Sequence, residues 1–293
     1  MSALDGRITE VAVGAPADGL VLDVDDQGPP DGDVVVLLHG FPERATCWRD
    51  VVPRLHAAGL RTLAVDQRGY SPRARPGRRR DYRADLLRDD VVSVVEAAVD
   101  RVGPDRRVHL VGHDWGAVVA WLVAAERPEL LATLTTFSVP HPGAYLRAGV
   151  RSKQLLRSWY MAAFNVPGLA ERMAQQPGGR FEQLLARTGM TPPELARFRA
   201  EVVEDGALPG GLGWYRALAL SAGAMGAGRV RVPTTFVWSD GDTAIDRWGA
   251  EHCGDFVRAE YELVVLTGVT HWIPTQAPAA AAEAVLDRVA SLG

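Results

Sequence analysis

The run Gly112-His113-Asp114-Trp115-Gly116 places an acid between a stretch that reads as a strand, Val108-His109-Leu110-Val111, and one that reads as a helix, Ala117 to Ala125. Strand, tight turn and helix is the setting of a nucleophile elbow. Glycines beside its strained central residue leave steric room, a role open to Gly112 and Gly116. In the usual form the central residue is serine, which needs a base to remove its proton before attack. An aspartate, with an ordinary pKa of ~3.9, is already an anion at neutral pH. Such a carboxylate can displace a leaving group from a saturated carbon, and the alkyl ester so formed must then be hydrolysed by water at its carboxyl carbon. The chemistry therefore needs a base for its second step.

Two segments further along the chain supply one. The strand-like run Thr234 to Trp238 ends in Ser239-Asp240-Gly241-Asp242, and Leu263 to Thr267 leads through Gly268 to His271. Nucleophile, acid, histidine is a chain order that a catalytic triad uses. Asp242 is assigned as the acid because it closes a small-x-x-Asp pattern in the loop, with Asp240 as the alternative. Taken singly, an aspartate after a strand reads as a helix cap and a histidine as structural; the joint order selects the catalytic reading. The loop His39-Gly40-Phe41-Pro42 follows a strand, Val34 to Leu38, and with the elbow it predicts an oxyanion hole from the backbone N–H groups of Phe41 and Trp115. His113 reads as a residue that positions the elbow backbone. His56, His109, His141 and His252 read as structural or surface residues.

Positioning these groups requires a sheet. Short β-branched runs at Val34 to Leu38, Arg61 to Val65, Val108 to Val111, Leu131 to Phe137, Thr234 to Trp238 and Leu263 to Thr267 read as buried strands. Helical patterns alternate with them, as at Asp85 to Val102 and Gly116 to Glu126, which predicts an α/β fold with a mostly parallel sheet covered on both faces. Over the first about 30 residues, Ile8 to Val13 and Leu20 to Val24 predict an antiparallel hairpin at the sheet edge. From His141 to Gly228 the strand signal stops, and helical segments are broken at Pro167-Gly168, Pro177-Gly178-Gly179, Pro192-Pro193 and Pro209-Gly210-Gly211. The expected organisation is a core at 1–140, an inserted helical cap at 141–228 and the rest of the core at 229–293, with the ligand crevice between cap and strand ends. Ser221 to Gly228 would return the chain to the core as a flexible hinge or as a tight connection.

Composition narrows the remaining classes. The chain has 293 residues with a net charge of −4, from 32 basic against 36 acidic side chains, so no overall field attracts nucleic acid or an anionic membrane. The run Arg78-Arg79-Arg80 lies in the Arg-, Pro- and Gly-rich stretch Arg73 to Arg83 and reads as solvated loop. Cys47 and Cys253 have no metal-ligand spacing and read as reduced thiols; no metal or cofactor is expected. Met1 to Glu10 lack the apolar core of a signal peptide, and nowhere do ~18 apolar residues run together, so a cytoplasmic enzyme is expected.

The segments His39-Gly40-Phe41-Pro42-Glu43, Asp66-Gln67-Arg68-Gly69-Tyr70-Ser71, Gly112-His113-Asp114-Trp115-Gly116 and His271-Trp272 resemble the α/β-hydrolase-fold epoxide hydrolases, over nearly the whole chain. In that family two cap tyrosines hold the epoxide oxygen. The segments Ser158 to Gly168 and Gly213-Trp214-Tyr215-Arg216 are similar to the family's tyrosine segments, which carries that role to Tyr160 and Tyr215. The resemblance implies an epoxide and water as reactants, with Asp114, His271, Asp242, Tyr160 and Tyr215 catalytic and with Phe41, Trp115 and the two tyrosines against the substrate. The chain departs from the family at Arg44-Ala45-Thr46-Cys47-Trp48, where a short Ser-Trp link is more usual. The nearest rival is a haloalkane or haloacid dehalogenase, which shares the fold and the aspartate nucleophile. Many dehalogenases similar to this chain have Asn where it has Phe41, and halide departure gives the tyrosines nothing to do. A non-hydrolytic ligand-binding or biosynthetic protein of the same fold is the third reading.

Overall fold

The computed structural model describes residues 6–103, 107–226 and 228–292, so Met1 to Asp5, half of the Met1 to Glu10 segment that lacks a signal-peptide core, lie outside the described residues. Eight strands form one sheet: β1 (Glu10–Val13), β2 (Leu20–Gln27), β3 (Val34–Leu38), β4 (Arg61–Asp66), β5 (Val108–His113), β6 (Thr133–Phe137), β7 (Thr234–Ser239) and β8 (Tyr261–Leu266). Their order is β1-β2-β4-β3-β5-β6-β7-β8. The pairs β1–β2 and β2–β4 are antiparallel, as the N-terminal hairpin pattern predicts, and every later pair is parallel.

Strand β3 is buried along its whole length because both sheet faces are covered. Alternate side chains divide between the faces. Val34, Val36 and Leu38 join one apolar cluster with Val91, Val95 and Trp121, while Val35 and Leu37 join another with Val52, Leu55 and Val285. The first cluster includes α2 (Ala84–Val102) and α3 (Trp115–Glu126), and the second α1 (Val52–Ala57) and a C-terminal helix, Pro278–Ala290. In the register of β3 on β5, Leu38 lies opposite Gly112, so the loop after β3 emerges beside the elbow.

Between β6 and β7 the described residues are helical or irregular. The helices are α4 (Pro142–Arg151), α5 (Gln154–Arg157), α6 (Trp159–Phe164), α7 (Leu169–Gln175), α8 (Arg180–Arg187), α9 (Pro192–Arg197), α10 (Leu208–Ala217) and α11 (Ala222–Met225), and Phe198–Glu204 is a π-helical turn. Pro167-Gly168, Pro177-Gly178-Gly179 and Pro192-Pro193 stand at helix boundaries as the sequence predicts, whereas Pro209-Gly210-Gly211 is helical, within the first turn of α10. The return to the core is not a featureless run: α11 forms within it, and the Ser221 hydroxyl accepts the Ala84 N–H at 3.0 Å. Ala227 lies outside the described residues.

The stretch Arg73 to Arg83 differs from the solvated loop expected of it. Arg78, Arg79 and Arg80 are exposed, but Tyr82 is buried in a 3₁₀ turn, and Arg75 donates to the carbonyl of Asp205 in the insertion at 2.7 Å. Composition could not show this, because the acceptor lies far away in sequence. No helix among the described residues is long and apolar enough to cross a membrane.

Candidate active site

Asp114 stands between β5 and α3 with φ 51° and ψ −117°, a conformation that a non-glycine residue holds only when its surroundings enforce it. The turn leaves no room for side chains beside it. A Cβ on Gly112 would stand 2.4 Å from the Gly116 carbonyl oxygen, and one on Gly116 would stand 2.3 Å from that of Leu38. The Asp114 carboxylate accepts the Phe41 N–H through Oδ1 at 2.8 Å, and its Oδ2 lies 3.3 Å from Nε2 of His271. On the far side of the ring, Nδ1 of His271 is 2.7 Å from Oδ2 of Asp242. The other oxygen of Asp242 accepts the N–H groups of Ala244 and Ile245 at 2.7 and 2.9 Å, which orients the carboxylate. Asp240, the alternative acid, instead accepts the Gly268 N–H at 2.8 Å and is exposed. Trp115 opens α3, so its backbone N–H is among the donors that a helix N-terminus leaves uncommitted.

Burial alone would raise the pKa of Asp114, but the hydrogen bond and charge of His271, the charge of His113 and the Phe41 N–H together hold it below the ordinary carboxylate value. For His271 burial works toward loss of the proton, and it is outweighed first by the Asp242 charge and then by Asp114, which push the imidazole up to about 10. The resting pair is thus a carboxylate beside an imidazolium.

Tyr160 on α6 and Tyr215 on α10 face this pair across an apolar cavity. Their ring centroids are 6.1 Å apart, and the Tyr215 ring packs 5.2 Å from Trp115 and 5.0 Å from Phe41. Asp114, His271, Tyr160, Tyr215 and Ala244 border two adjoining lobes of about 530 and 480 Å³. The first lobe is completed by residues such as Val139, Tyr145 and Met161, the second by Phe164, Leu185 and Trp272. Burial, and after it the neighbouring phenols and carboxylates, Asp114 among them, raise both tyrosines well above a phenol's ordinary 10. At neutral pH both hydroxyls keep their protons.

A family profile described as "Alpha/beta hydrolase family" matches residues 35–284, which take in all but the first residue of β3, strands β4 to β8 and everything inserted between β6 and β7. The chain belongs to that family. This α/β hydrolase is 31% identical over 281 residues to the AB hydrolase superfamily protein YfhM of Bacillus subtilis, covering 92% of this chain and 94% of the relative. It is 29% identical to epoxide hydrolase A of Mycobacterium tuberculosis, covering 96% and 99%. Epoxide hydrolase 4 of Homo sapiens is 30% identical, covering 86% of this chain and 70% of the relative. Among solved structures, epoxide hydrolase A of Mycobacterium thermoresistibile superposes with a TM-score of 0.77 at 25% identity, covering 96% and 97%.

Further residues that local sequence pattern does not reveal complete the site of this α/β hydrolase. His113 does more than shape the elbow: its Nε2 donates to the His271 carbonyl at 2.9 Å, and its Nδ1 lies 3.4 Å from Oε2 of the buried Glu43. The Ser138 hydroxyl donates to the same carbonyl at 2.7 Å, so the backbone that carries His271 is held from two directions. The available signal was Glu43 directly after His39-Gly40-Phe41-Pro42, an acid in a loop otherwise devoted to backbone donors. His39 fixes that loop from within, its Nδ1 donating to the Gly40 carbonyl at 2.9 Å and its Nε2 accepting the Gln67 N–H at 3.2 Å. Tyr145 also lines the first lobe, with its hydroxyl 2.7 Å from that of Ser158.

Proposed function

We propose that this α/β hydrolase converts an organic epoxide to a vicinal diol through an alkyl ester of Asp114, and that residues 141–228 act as the cap closing its cavity. The observation that carries the reading is the placing of two protonated phenols across one apolar cavity from an anionic carboxylate. The relatives named epoxide hydrolases support it.

Attack by Asp114 on one ring carbon forms a C–O ester bond and breaks the ring C–O bond, whose electron pair passes to the epoxide oxygen. Displacement comes from behind the carbon, so the leaving oxygen points away from Asp114 toward the tyrosines. They bind it by hydrogen bonds, and one of them gives it a proton. Esterification removes the charge of Asp114 beside His271. The imidazolium then releases its proton by way of solvent, and the phenolate regains one. Neutral His271 takes a proton from water as that water attacks the ester carbonyl carbon. The Phe41 and Trp115 N–H groups stabilise the oxyanion of the tetrahedral intermediate. Its collapse breaks the bond between the carboxyl carbon and the alkyl oxygen, and the departing alkoxide takes the remaining water-derived proton, giving the diol and the Asp114 carboxylate beside an imidazolium. Asp242 keeps the ring oriented and its Nδ1 proton in place throughout.

The test is incubation of pure protein with a panel of apolar epoxides and matched haloalkanes, followed by chiral analysis of the products. Diols from epoxides are expected. Halide release without diol formation would replace this reading with the dehalogenase, and no turnover of either class would leave a protein that binds its ligand without hydrolysing it.

A further inference from the structure

From Leu130 to Ala170 the sequence contains no aspartate or glutamate, yet it carries Arg147, Arg151, Lys153 and Arg157 within a chain of net charge −4. The same stretch holds Leu146, Val150, Leu155, Leu156, Trp159 and Val166, which are all the exposed large apolar side chains among the described residues apart from Leu220 and Val265. They are strongly exposed, Val150 at 80%, Leu156 at 74% and Trp159 at 60%. Leu146 and Val150 are one turn apart on α4. Leu155 on α5 folds back over that helix, 3.7 Å from where a Cβ of Gly149 would stand, and Trp159 follows at the start of α6. Single exposed apolar residues are ordinary, whereas a continuous set rimmed by charge marks a surface that meets something.

The charge indicates what it meets. Arg157 lies 3.4 Å from Asp246, and Arg147 lies 4.0 Å from Asp255 while stacking on Phe256. Arg151 and Lys153 have no ion-pair partner among the described residues, and both are exposed. Exposed leucine and tryptophan with unpaired Lys and Arg beside them is the composition of segments that lie in the headgroup layer of an anionic bilayer. A second copy of this chain fits less well, because a two-fold contact through this face would bring cations together with no acid inside the segment to answer them.

We propose that α4 to α6 form a docking face for an anionic lipid surface, with Trp159 and its neighbouring leucines entering the headgroup layer and Arg151 and Lys153 meeting lipid phosphates. The net charge that argues against an anionic partner for the whole molecule conceals this local reversal. The inner sides of the same helices carry Pro142, Tyr145, Tyr160 and Met161 into the cavity wall. Docking would therefore set the first lobe next to the phase in which an apolar epoxide dissolves. That consequence rests on the proposed activity; the docking itself does not.

The experiment is co-sedimentation of the full chain with vesicles of phosphatidylcholine alone and of equal parts phosphatidylcholine and phosphatidylserine, without substrate. Binding is expected to the anionic vesicles and to weaken with salt. Arg151→Gln and Lys153→Gln should each lower it about five-fold, and Trp159→Ser roughly ten-fold, with unchanged circular dichroism melts. Absence of binding to anionic vesicles, or binding indifferent to all three substitutions, overturns the proposal. A concentration-dependent dimer abolished by Trp159→Ser, with no vesicle binding, would assign the face to a second copy of the chain. Because no substrate is present, failure of the epoxide reading would leave this result intact, and Trp159→Ser should hydrolyse a short water-soluble epoxide at the wild-type rate if that reading holds.

Discussion

Replacing Asp114 by asparagine removes one negative charge from beside His271 while keeping the shape of the side chain, which imitates the uncharged ester. In the native protein the imidazole is pushed up to about 10, against the pull of burial, by Asp242 and Asp114, so the neutral form of His271 is the minor one at pH 7. A base that scarce would make ester hydrolysis slow. The Asp114 oxygen lies 3.3 Å from Nε2. At an effective dielectric of about 20, that separation gives about 5 kcal/mol of attraction, an upper figure before the surroundings relax. We expect removal of the charge to lower the proton affinity of His271 by at least about a hundredfold, returning it toward the ordinary imidazole range. The assay is titration of the His271 ring by heteronuclear NMR in the wild type and in Asp114→Asn. The same coupling has a sign in stability. Because the folded protein binds the His271 proton more tightly than the unfolded chain, the stabilisation is complete below the ordinary imidazole pKa and is lost as pH rises through about 10. Denaturant unfolding at neutral pH and above pH 10 should show that loss in the wild type and little of it in the variant. Titration of His271 still near 10 in Asp114→Asn would mean that Asp242 alone holds the proton, and the release of the base by esterification would be refuted.

Three other outcomes follow from the site. His271→Gln should alkylate and then stall, so the intact mass should rise by one substrate; an unmodified variant in excess reactive epoxide would show that His271 serves the first step as well. Tyr160→Phe and Tyr215→Phe should each slow alkylation, with the range of ~10²–10⁴ typical of a lost positioned acid. The double variant should nearly lack it, and wild-type diol formation there would show that the tyrosines only pack the cap. In Gly40→Ala the new methyl would stand 2.3 Å from Cβ of Asp114 and 2.6 Å from its Oδ1, displacing the Asp114 carboxylate. Stopped-flow alkylation slowed by about 10²-fold or more is expected, and an unaltered rate would show that the β3 loop yields easily.

Asp114 and His271 were legible because each follows a strand-like run, Asp114 directly and His271 through a short loop, in a fixed chain order, and a parallel sheet brings strand ends to one edge. Asp242 and Asp240 were separable only in part, since both follow the same strand. What distinguishes them is direction: Asp242 turns inward to His271 and two backbone N–H groups, while Asp240 turns out to Gly268. The tyrosines were visible only through resemblance, because a helical tyrosine has the same periodicity whether it packs or reacts. Glu43 against His113 and Arg75 against Asp205 join residues distant in sequence, and local pattern has no access to such pairs. The apolar outer side of α4 to α6 was hidden for a related reason, since periodicity shows that a helix has an apolar stripe but not which stripe the fold will cover.

Strands β6 and β7 are parallel neighbours, with Leu134 opposite Thr234, although the helices from α4 to α11 intervene in the chain. The chain leaves β6 at Phe137 and enters β7 at Thr234, three residues back along the ladder, so these two anchors lie roughly 11 Å apart. A connection whose anchors are held at a fixed short separation can lengthen at a cost that grows only with the logarithm of its length, about 0.6 kcal/mol for each doubling. Inheritance can exploit this. Substitutions, deletions or whole exchanges among the helices over the cavity can change which molecules enter, while the strand register that sets Asp114 against His271 remains as it was.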